Sequence, residues 1–107
     1  MAHLRPLGAL TAVHAEDAEL LAASQDVWDR LDPRSYAAYL ASRPDEAELR
    51  AVEDVVGAAR RTGGRAHVLH LSSATALGTL REAELQRRDA APGGAEVAGV
   101  EVLQLRR

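Results

Sequence analysis

The chain has 107 residues, of which 47% are hydrophobic and 3% aromatic, and its formal net charge is −3. This length allows one small domain with a modest core, and the charge offers no electrostatic basis for binding nucleic acid or an anionic membrane. The absence of cysteine excludes disulfides, thiolate zinc sites and cysteine nucleophiles. No apolar run approaches the roughly 18 residues of a membrane helix. The first residues lack the apolar core of a signal peptide, so we expect a cytoplasmic protein.

The first part of the chain predicts a strand followed by a helix. Residues 1–7 are typical of a helix end, closed by Pro6 and Gly8. Residues 9–13 are almost uniformly apolar, which predicts a short strand of a parallel sheet that is covered on both faces. Acidic residues at the start of 16–23 favour a helix there, because they complement the helix dipole.

The middle of the chain contains the clearest predicted helix. Residues 24–42 are less regular, and we expect a long loop with short helical turns, a kind of segment that is often functional. A helix is predicted from Pro44, with Ser42 and Asp45 resembling a capping box. It carries an apolar stripe at helical spacing and ends at a glycine pair. The stripe and the pair are Val52, Val55, Val56, Ala59, Gly63 and Gly64.

The last part predicts a strand, a helix and a third strand. Residues 65–71 form the second predicted strand, and Ser72 or Ser73 can cap the helix that follows. Residues 87–98 are small and polar, so we interpret them as a linker, and residues 99–105 alternate enough to predict a strand. The order strand, helix, strand, helix predicts a parallel sheet with a right-handed crossover. The apolar positions of the final helix are Leu77, Leu80 and Leu85.

Two histidines follow the two main predicted strands. His14 ends the first apolar run and His70 ends the second. The carboxyl ends of neighbouring parallel strands meet at one rim, where α/β enzymes carry their chemistry, so we expect both imidazoles there. Neutral imidazole is a good zinc ligand, although a histidine near a strand end is more often a hydrogen-bonded structural residue. The residue pattern alone leaves both interpretations open.

Four further residues flank these histidines. His67 is expected on the same face as His70 and one step deeper, as a packed group or one that supports a ligand. Glu16 could orient a ligand, although a role at a helix N-terminus is the simpler interpretation. Ser72 and Ser73 could bind substrate, but a helix N-cap would account for both.

Three segments of the chain together resemble the allantoinase family. The segments are VHAEDA at 13–18, YAAYLASRP at 36–44 followed by Ala47-Glu48 and Ala51-Val52, and HVLHLSS at 67–73 followed by Ala76-Leu77. Their order and spacing are more specific than any one of them. The wider group is the cyclic amidohydrolases, which includes dihydropyrimidinases and dihydroorotases. The resemblance runs from about residue 3 to about residue 83.

The resemblance implies an α/β fold, namely part of a metal-dependent (β/α)8 barrel. Residues 9–13 would be the fifth barrel strand and residues 65–71 the sixth. His14 and His70 would match the two histidines that bind the second metal of a binuclear centre, with zinc as the expected ion. Such metals polarise the ring amide carbonyl and lower the pKa of water. The implied activity is ring-opening hydrolysis of a small cyclic ureide, allantoin, to allantoate, a step of purine catabolism.

The resemblance also implies what this chain lacks. The family uses a His-x-His pair on the first strand, a carboxylated lysine on the fourth and an aspartate on the eighth, and this chain contains no lysine. We therefore interpret residues 1–85 as part of the barrel and residues 86–107 as a divergent linker with a possible strand. We expect an internal fragment that is inactive as an isolated chain. The 56 residues between His14 and His70 exceed a barrel repeat of about 30, which is consistent with an insertion at 24–42.

Other functional hypotheses remain open. The chain could be a non-catalytic α/β unit that associates with itself or with a complementing barrel half through exposed sheet edges. It could also be a small α/β domain whose histidines are structural. If the chain is a fragment of a cyclic amidohydrolase, a dihydropyrimidinase or a dihydroorotase is the alternative to an allantoinase.

Overall fold

Three parallel strands form the sheet in the computed structural model, which describes residues 1–32, 34–89 and 100–102. The strands are β1 (Leu10–His14), β2 (Arg65–Leu69) and β3 (Val100–Val102), and β2 lies between the other two. The predicted parallel pairing of the two main strands is confirmed. The strand predicted within 99–105 is confirmed for β3, and the rest of that stretch lies outside the described residues.

The described residues also form four helices, preceded by a short 3-10 helix. The 3-10 helix ends at Gly8, which has a φ of 61°, a backbone conformation that glycine adopts without steric cost. The helices are α1 (Ala18–Arg30), α2 (Tyr36–Ser42), α3 (Asp45–Thr62) and α4 (Ala74–Asp89), and the 3-10 helix spans Ala2–Leu7.

The core lies between α3, β2 and α4. The apolar stripe predicted for α3 is confirmed, because all four of its members are buried. This stripe packs with Ala66 and Val68 of β2 and with Ala76 and Leu80 of α4. Val68 is fully buried, and complete burial of a side chain of this size contributes about 1.5 kcal/mol or more. Burial of this helix face therefore fixes α3 against the strand that leads to His70.

The C-terminal cap of α3 agrees with the prediction from the sequence, whereas the N-terminal cap does not. At its C-terminus Gly63 has a φ of 65°, as expected of a left-handed cap. At its N-terminus the predicted capping box is wrong, because Pro44 occupies the N-cap position and no side chain caps the helix. Ser42 belongs to α2, where its hydroxyl donates to the carbonyl of Tyr39 at 2.8 Å. Acidic residues in the first turn complement the helix dipole instead.

The loop predicted over 24–42 is mostly helical. The helix α1 continues to Arg30, and α2 accounts for Tyr36–Ser42. Asp17 caps α1 by accepting hydrogen bonds from the backbone N–H groups of Glu19 and Leu20, both at 2.9 Å. The helix α1 contains no fully buried residue, and its apolar face, which includes Leu20 and Trp28, is only half-buried.

The strand β1 is not buried in the described structure, in contrast to the prediction. Its residues alternate between exposed and half-buried, and Leu10 is 43% exposed. The register aligns Leu10 with Arg65 and Ala12 with His67, so one face of the sheet carries Leu10, Ala12 and His14. No described element covers these three residues, all of which are exposed.

Two predictions about α4 also need correction. Leu80 is buried and Leu77 is half-buried, but Leu85 is 59% exposed. The helix continues to Asp89, so the first residues of the stretch interpreted as a linker are helical, and the remainder of 87–98 lies outside the described residues. Across the described ranges, every helix is too short or too polar to cross a lipid bilayer.

Candidate functional site

His14 and His70 meet at the carboxyl end of the sheet. The centroids of their imidazole rings are 4.3 Å apart, and the ring planes are nearly perpendicular at 89°. His14 is the last residue of β1, and His70 directly follows β2. The two rings are thus in edge-to-face contact at the rim where the sequence predicted them.

The backbone at His70 explains how its side chain reaches His14. Leu69 aligns with His14 in the sheet, and regular alternation would send the next side chain to the opposite face. His70 has a φ of 40°, in a left-handed region that few residues other than glycine adopt. This bend allows the imidazole to turn towards His14, and backbone conformations of this kind are concentrated at functional sites.

Glu16 links His14 to an arginine on the other side of the rim. One carboxylate oxygen of Glu16 lies 3.5 Å from Nε2 of His14. Nη1 of Arg43 donates to both oxygens of Glu16, at 2.5 and 2.6 Å. The hydrogen bond and the negative charge of Glu16 raise the pKa of Arg43. Asp17, rather than Glu16, caps α1, so the carboxylate of Glu16 is directed at the rim and not at the helix.

Two tyrosines of α2 extend this line of contacts. The guanidinium carbon of Arg43 is 5.8 Å from the centroid of the Tyr39 ring, within the range of a cation–π interaction. Tyr39 in turn stacks on Tyr36, with centroids 6.3 Å apart and planes inclined by 21°. Both rings are largely exposed, so α2 presents an aromatic surface beside the rim.

Glu48 holds the loop that follows His70. This α3 residue is only 7% exposed. Its carboxylate accepts hydrogen bonds from the backbone N–H groups of Ser72 and Ser73, at 2.8 and 2.9 Å, and from the Ser72 hydroxyl. The Ser73 hydroxyl contacts the Thr75 hydroxyl at 2.6 Å. Both serine hydroxyls are therefore engaged with other side chains, Ser72 with Glu48 and Ser73 with Thr75.

No role for Glu48 was predicted from the sequence, although its position contained a signal. Glu48 lies four residues before Val52 and seven before Val55, and so on the apolar stripe of α3. A carboxylate in such a stripe requires buried hydrogen-bond donors, because desolvation of an unpaired charge is costly. The two N–H groups beyond β2 are those donors.

His67 is a buried histidine of β2. It precedes His70 by three residues, and its register partner in β1 is Ala12. The imidazole is 7% exposed, and its Nδ1 has no hydrogen-bond partner in the described part of the chain. His67 is thus a packed residue of the sheet, on the face that also carries Ala12 and His14.

The rim brings together two side chains of a type that binds metal. Neutral imidazole nitrogen is a common zinc ligand, and the centroids of the His14 and His70 rings lie 4.3 Å apart. In the described ranges no group of three or more histidine, aspartate or glutamate side chains is arranged to hold an ion. His14 and His70 therefore offer two nitrogen donors, which is fewer than a catalytic zinc requires from protein.

Sequence comparison identifies relatives of this chain. No protein-family model matches it. The allantoinase of Streptomyces avermitilis is 47% identical over 77 residues, which cover 72% of this chain. The allantoinase of Bacillus velezensis is 34% identical over 78% of the chain, and the probable allantoinase of Oryza sativa is 38% identical over 67%. The chain spans only 16 to 18% of the length of these relatives.

Solved structures give a consistent result. The L-hydantoinase (dihydropyrimidinase) of Arthrobacter aurescens superimposes on 94% of this chain with a TM-score of 0.76, at 24% identity, and shows the same fold over 20% of its own length. The dihydropyrimidinase of Brevibacillus agri matches 76% of the chain with a TM-score of 0.64 at 33% identity. From the sequence relatives and this shared fold, the chain belongs to the cyclic amidohydrolases, with allantoinases as its named relatives and a match to one segment of those longer enzymes.

Proposed function

We propose that this chain carries two metal-ligating histidines of an allantoinase-like enzyme, which opens the ring of allantoin to give allantoate. The observation that supports this most directly is the contact of His14 and His70 at the ends of neighbouring parallel strands. Within this proposal, β1 and β2 correspond to the fifth and sixth strands of a (β/α)8 barrel. Residues 1–85 contribute to that barrel, and residues 86–107 form a divergent extension.

In this proposal His14 and His70 would hold a divalent ion, with zinc as the expected metal, in a centre of two metals. A bound ion of this kind acts as a Lewis acid on the carbonyl of a ring amide. Glu16 orients the His14 imidazole, and Arg43 neutralises Glu16 and holds it in place. Ser72 is a candidate for contact with substrate, because it is exposed beside His70, whereas Ser73 and His67 are buried and are assigned structural roles.

Zinc binding tests the proposal on the full 107-residue chain. Isothermal titration with zinc should show that His14→Ala and His70→Ala each weaken binding by about 10-fold or more, since even residues that only support a ligand contribute that much. His3→Ala is the matched control, because His3 is exposed in the 3-10 helix at a distance in sequence from both strands. Equal zinc affinity in the wild type and a His14→Ala, His70→Ala double variant would instead support structural histidines.

We infer that the isolated chain does not hydrolyse allantoin, because two imidazoles do not complete a catalytic zinc site. The rate of allantoate formation with zinc should equal that of the His14→Ala variant. Turnover above this variant would contradict the inference. If a complementing barrel half restores activity, comparison of allantoin with a dihydropyrimidine substrate would distinguish an allantoinase from a dihydropyrimidinase.

One observation favours a second candidate, a self-associating α/β unit without catalysis. Leu10, Ala12 and Leu69 are exposed on one face of the sheet, and exposed apolar surface of this kind promotes association. Light scattering over a range of concentrations tests it. A monomer at all concentrations, with cooperative unfolding, would eliminate this candidate and leave the metal-site proposal unaffected.

A further inference from the structure

A single short segment contacts both of the loops that follow His14 and His70. The segment is residues 43–48, which join α2 to α3 and form the first turn of α3. On one side Arg43 binds Glu16, and the carbonyl of Ala47 accepts from the backbone N–H of Asp17 at 2.9 Å. On the other side Glu48 binds the backbone at Ser72 and Ser73. The loops after β1 and β2 are thus tied to the same six residues.

The carboxylate of Glu48 is suited to hold a strained backbone. Left-handed conformations are strained for an L-residue, and His70 adopts one two residues before Ser72, the first residue that Glu48 binds. Hydrogen bonds to a charged acceptor are stronger than neutral ones. Three of them converge on this buried carboxylate and hold the backbone that follows the bend. The same carboxylate also lies beside the N-terminus of α4, where negative charge is favourable.

Arg43 acts in an equivalent way on the His14 side. Its guanidinium is held from two directions, by the Glu16 carboxylate and by the face of Tyr39. Glu16 has a side chain that is 16% exposed and lies within 3.5 Å of the His14 ring. The position of Arg43 therefore determines where the carboxylate beside His14 lies.

We propose that Glu48 and Arg43 are positioning residues, which bring the His14 and His70 rings into edge-to-face contact by anchoring their two loops to residues 43–48. Neither residue is assigned as a metal ligand. The role of the two rings as half of a metal site rests on the proposed function, whereas the separation of the rings on loss of either anchor does not.

The test uses nuclear Overhauser effects between the ring protons of His14 and His70 in the metal-free, full-length chain. Glu48→Ala should abolish this cross-peak. Glu48→Gln should retain it, because its amide oxygen can accept from both N–H groups while its NH2 donates to the Ser72 hydroxyl. The matched control is Glu53→Ala, an exposed position on the same helix, and it should leave the cross-peak unchanged. A persistent cross-peak in a folded Glu48→Ala chain would overturn the role of Glu48.

Arg43→Ala keeps the proposal testable if Glu48→Ala does not fold. The Arg43 side chain is 46% exposed, so its removal leaves the core intact, and the cross-peak should weaken while the circular dichroism spectrum is unchanged. An unaltered cross-peak would overturn the role of Arg43. Zinc titration of the same samples separates the two ideas. If the wild type binds no zinc but the two rings still separate on mutation, the metal site is refuted and the positioning role is supported.

Discussion

Removal of the Asp17 side chain tests how the helix behind His14 is held. Asp17 accepts hydrogen bonds from two N–H groups at the start of α1, and one of its oxygens lies 3.2 Å from Nε of Arg50 on α3. Loss of an N-cap carboxylate costs about 1 kcal/mol, within a range of about 0.5–2. The partner arginine is 53% exposed, so the ion pair adds no more than about 1 kcal/mol.

These two contributions can be measured separately with two variants. Asp17→Ala removes the cap and the charge, and should lower the free energy of unfolding by about 0.5–3 kcal/mol. In a domain of this size each kilocalorie lowers Tm by roughly 4–8 °C. Asp17→Asn preserves the cap, since asparagine caps about as well as aspartate, and should lose less than about 1 kcal/mol. Asp26→Ala on the exposed face of α1 is the control and should cause no loss.

Urea denaturation followed by circular dichroism measures each variant at low salt and at about 1 M salt, where the Debye length is about 3 Å. The difference between Asp17→Asn and the wild type should shrink at high salt, whereas the difference between Asp17→Ala and Asp17→Asn should persist. If Asp17→Asn were as destabilising as Asp17→Ala at both salt concentrations, the hydrogen-bonded cap would not be the main contribution and the reasoning would fail.

Two further substitutions test the core and the end of α3. Val68→Ala should lower the unfolding free energy by about 2 kcal/mol, because it removes buried methyl groups and leaves a cavity. The control is Val27→Ala, at a position 46% exposed. It should lower the unfolding free energy by less than about 0.5 kcal/mol in the same urea assay. Gly63→Ala should cost at least about 1 kcal/mol by thermal unfolding, because its φ is +65° and an added Cβ would lie 3.0–3.3 Å from the Arg5 side chain. Gly8→Ala shares the positive φ but meets no atom within 4 Å, so a smaller loss is expected there, and an equal loss would exclude the steric contribution.

The sequence predicted those parts of the fold in which local pattern and tertiary burial agree. The stripe of α3 and the strand β2 were predicted because their burial has a helical or extended period. The helix α1 extends beyond the helix predicted at 16–23 into the segment predicted as a loop, and it contains no fully buried residue. The apolar residues of β1 predict a strand covered on both faces, whereas the structure leaves that strand partly exposed.

At the candidate site, His14 and His70 were found because strand order alone brings their positions to one rim. Two other features depended on information absent from strand order. The positive φ at His70 is a backbone conformation that the residue types around it do not predict. The hydrogen bond from the Ser72 N–H to Glu48 joins positions 24 residues apart in the sequence. A charged residue within an apolar stripe indicates that a partner exists, but only the packed structure identifies it.

The anchoring of both loops to residues 43–48 implies which parts of the chain can change in length. The connection between α1 and α2 precedes α2 in the sequence, whereas residues 43–48 follow it. The backbone hydrogen bonds at Leu31 and Ser35 are local, to Trp28 and Asp32. Loop insertions cost little free energy, which grows only as the logarithm of length. Homologous chains should therefore tolerate insertions and deletions in this connection. A single residue gained or lost between Arg43 and Glu48 would instead rotate the Glu48 side chain about the helix axis by about 100° relative to Arg43.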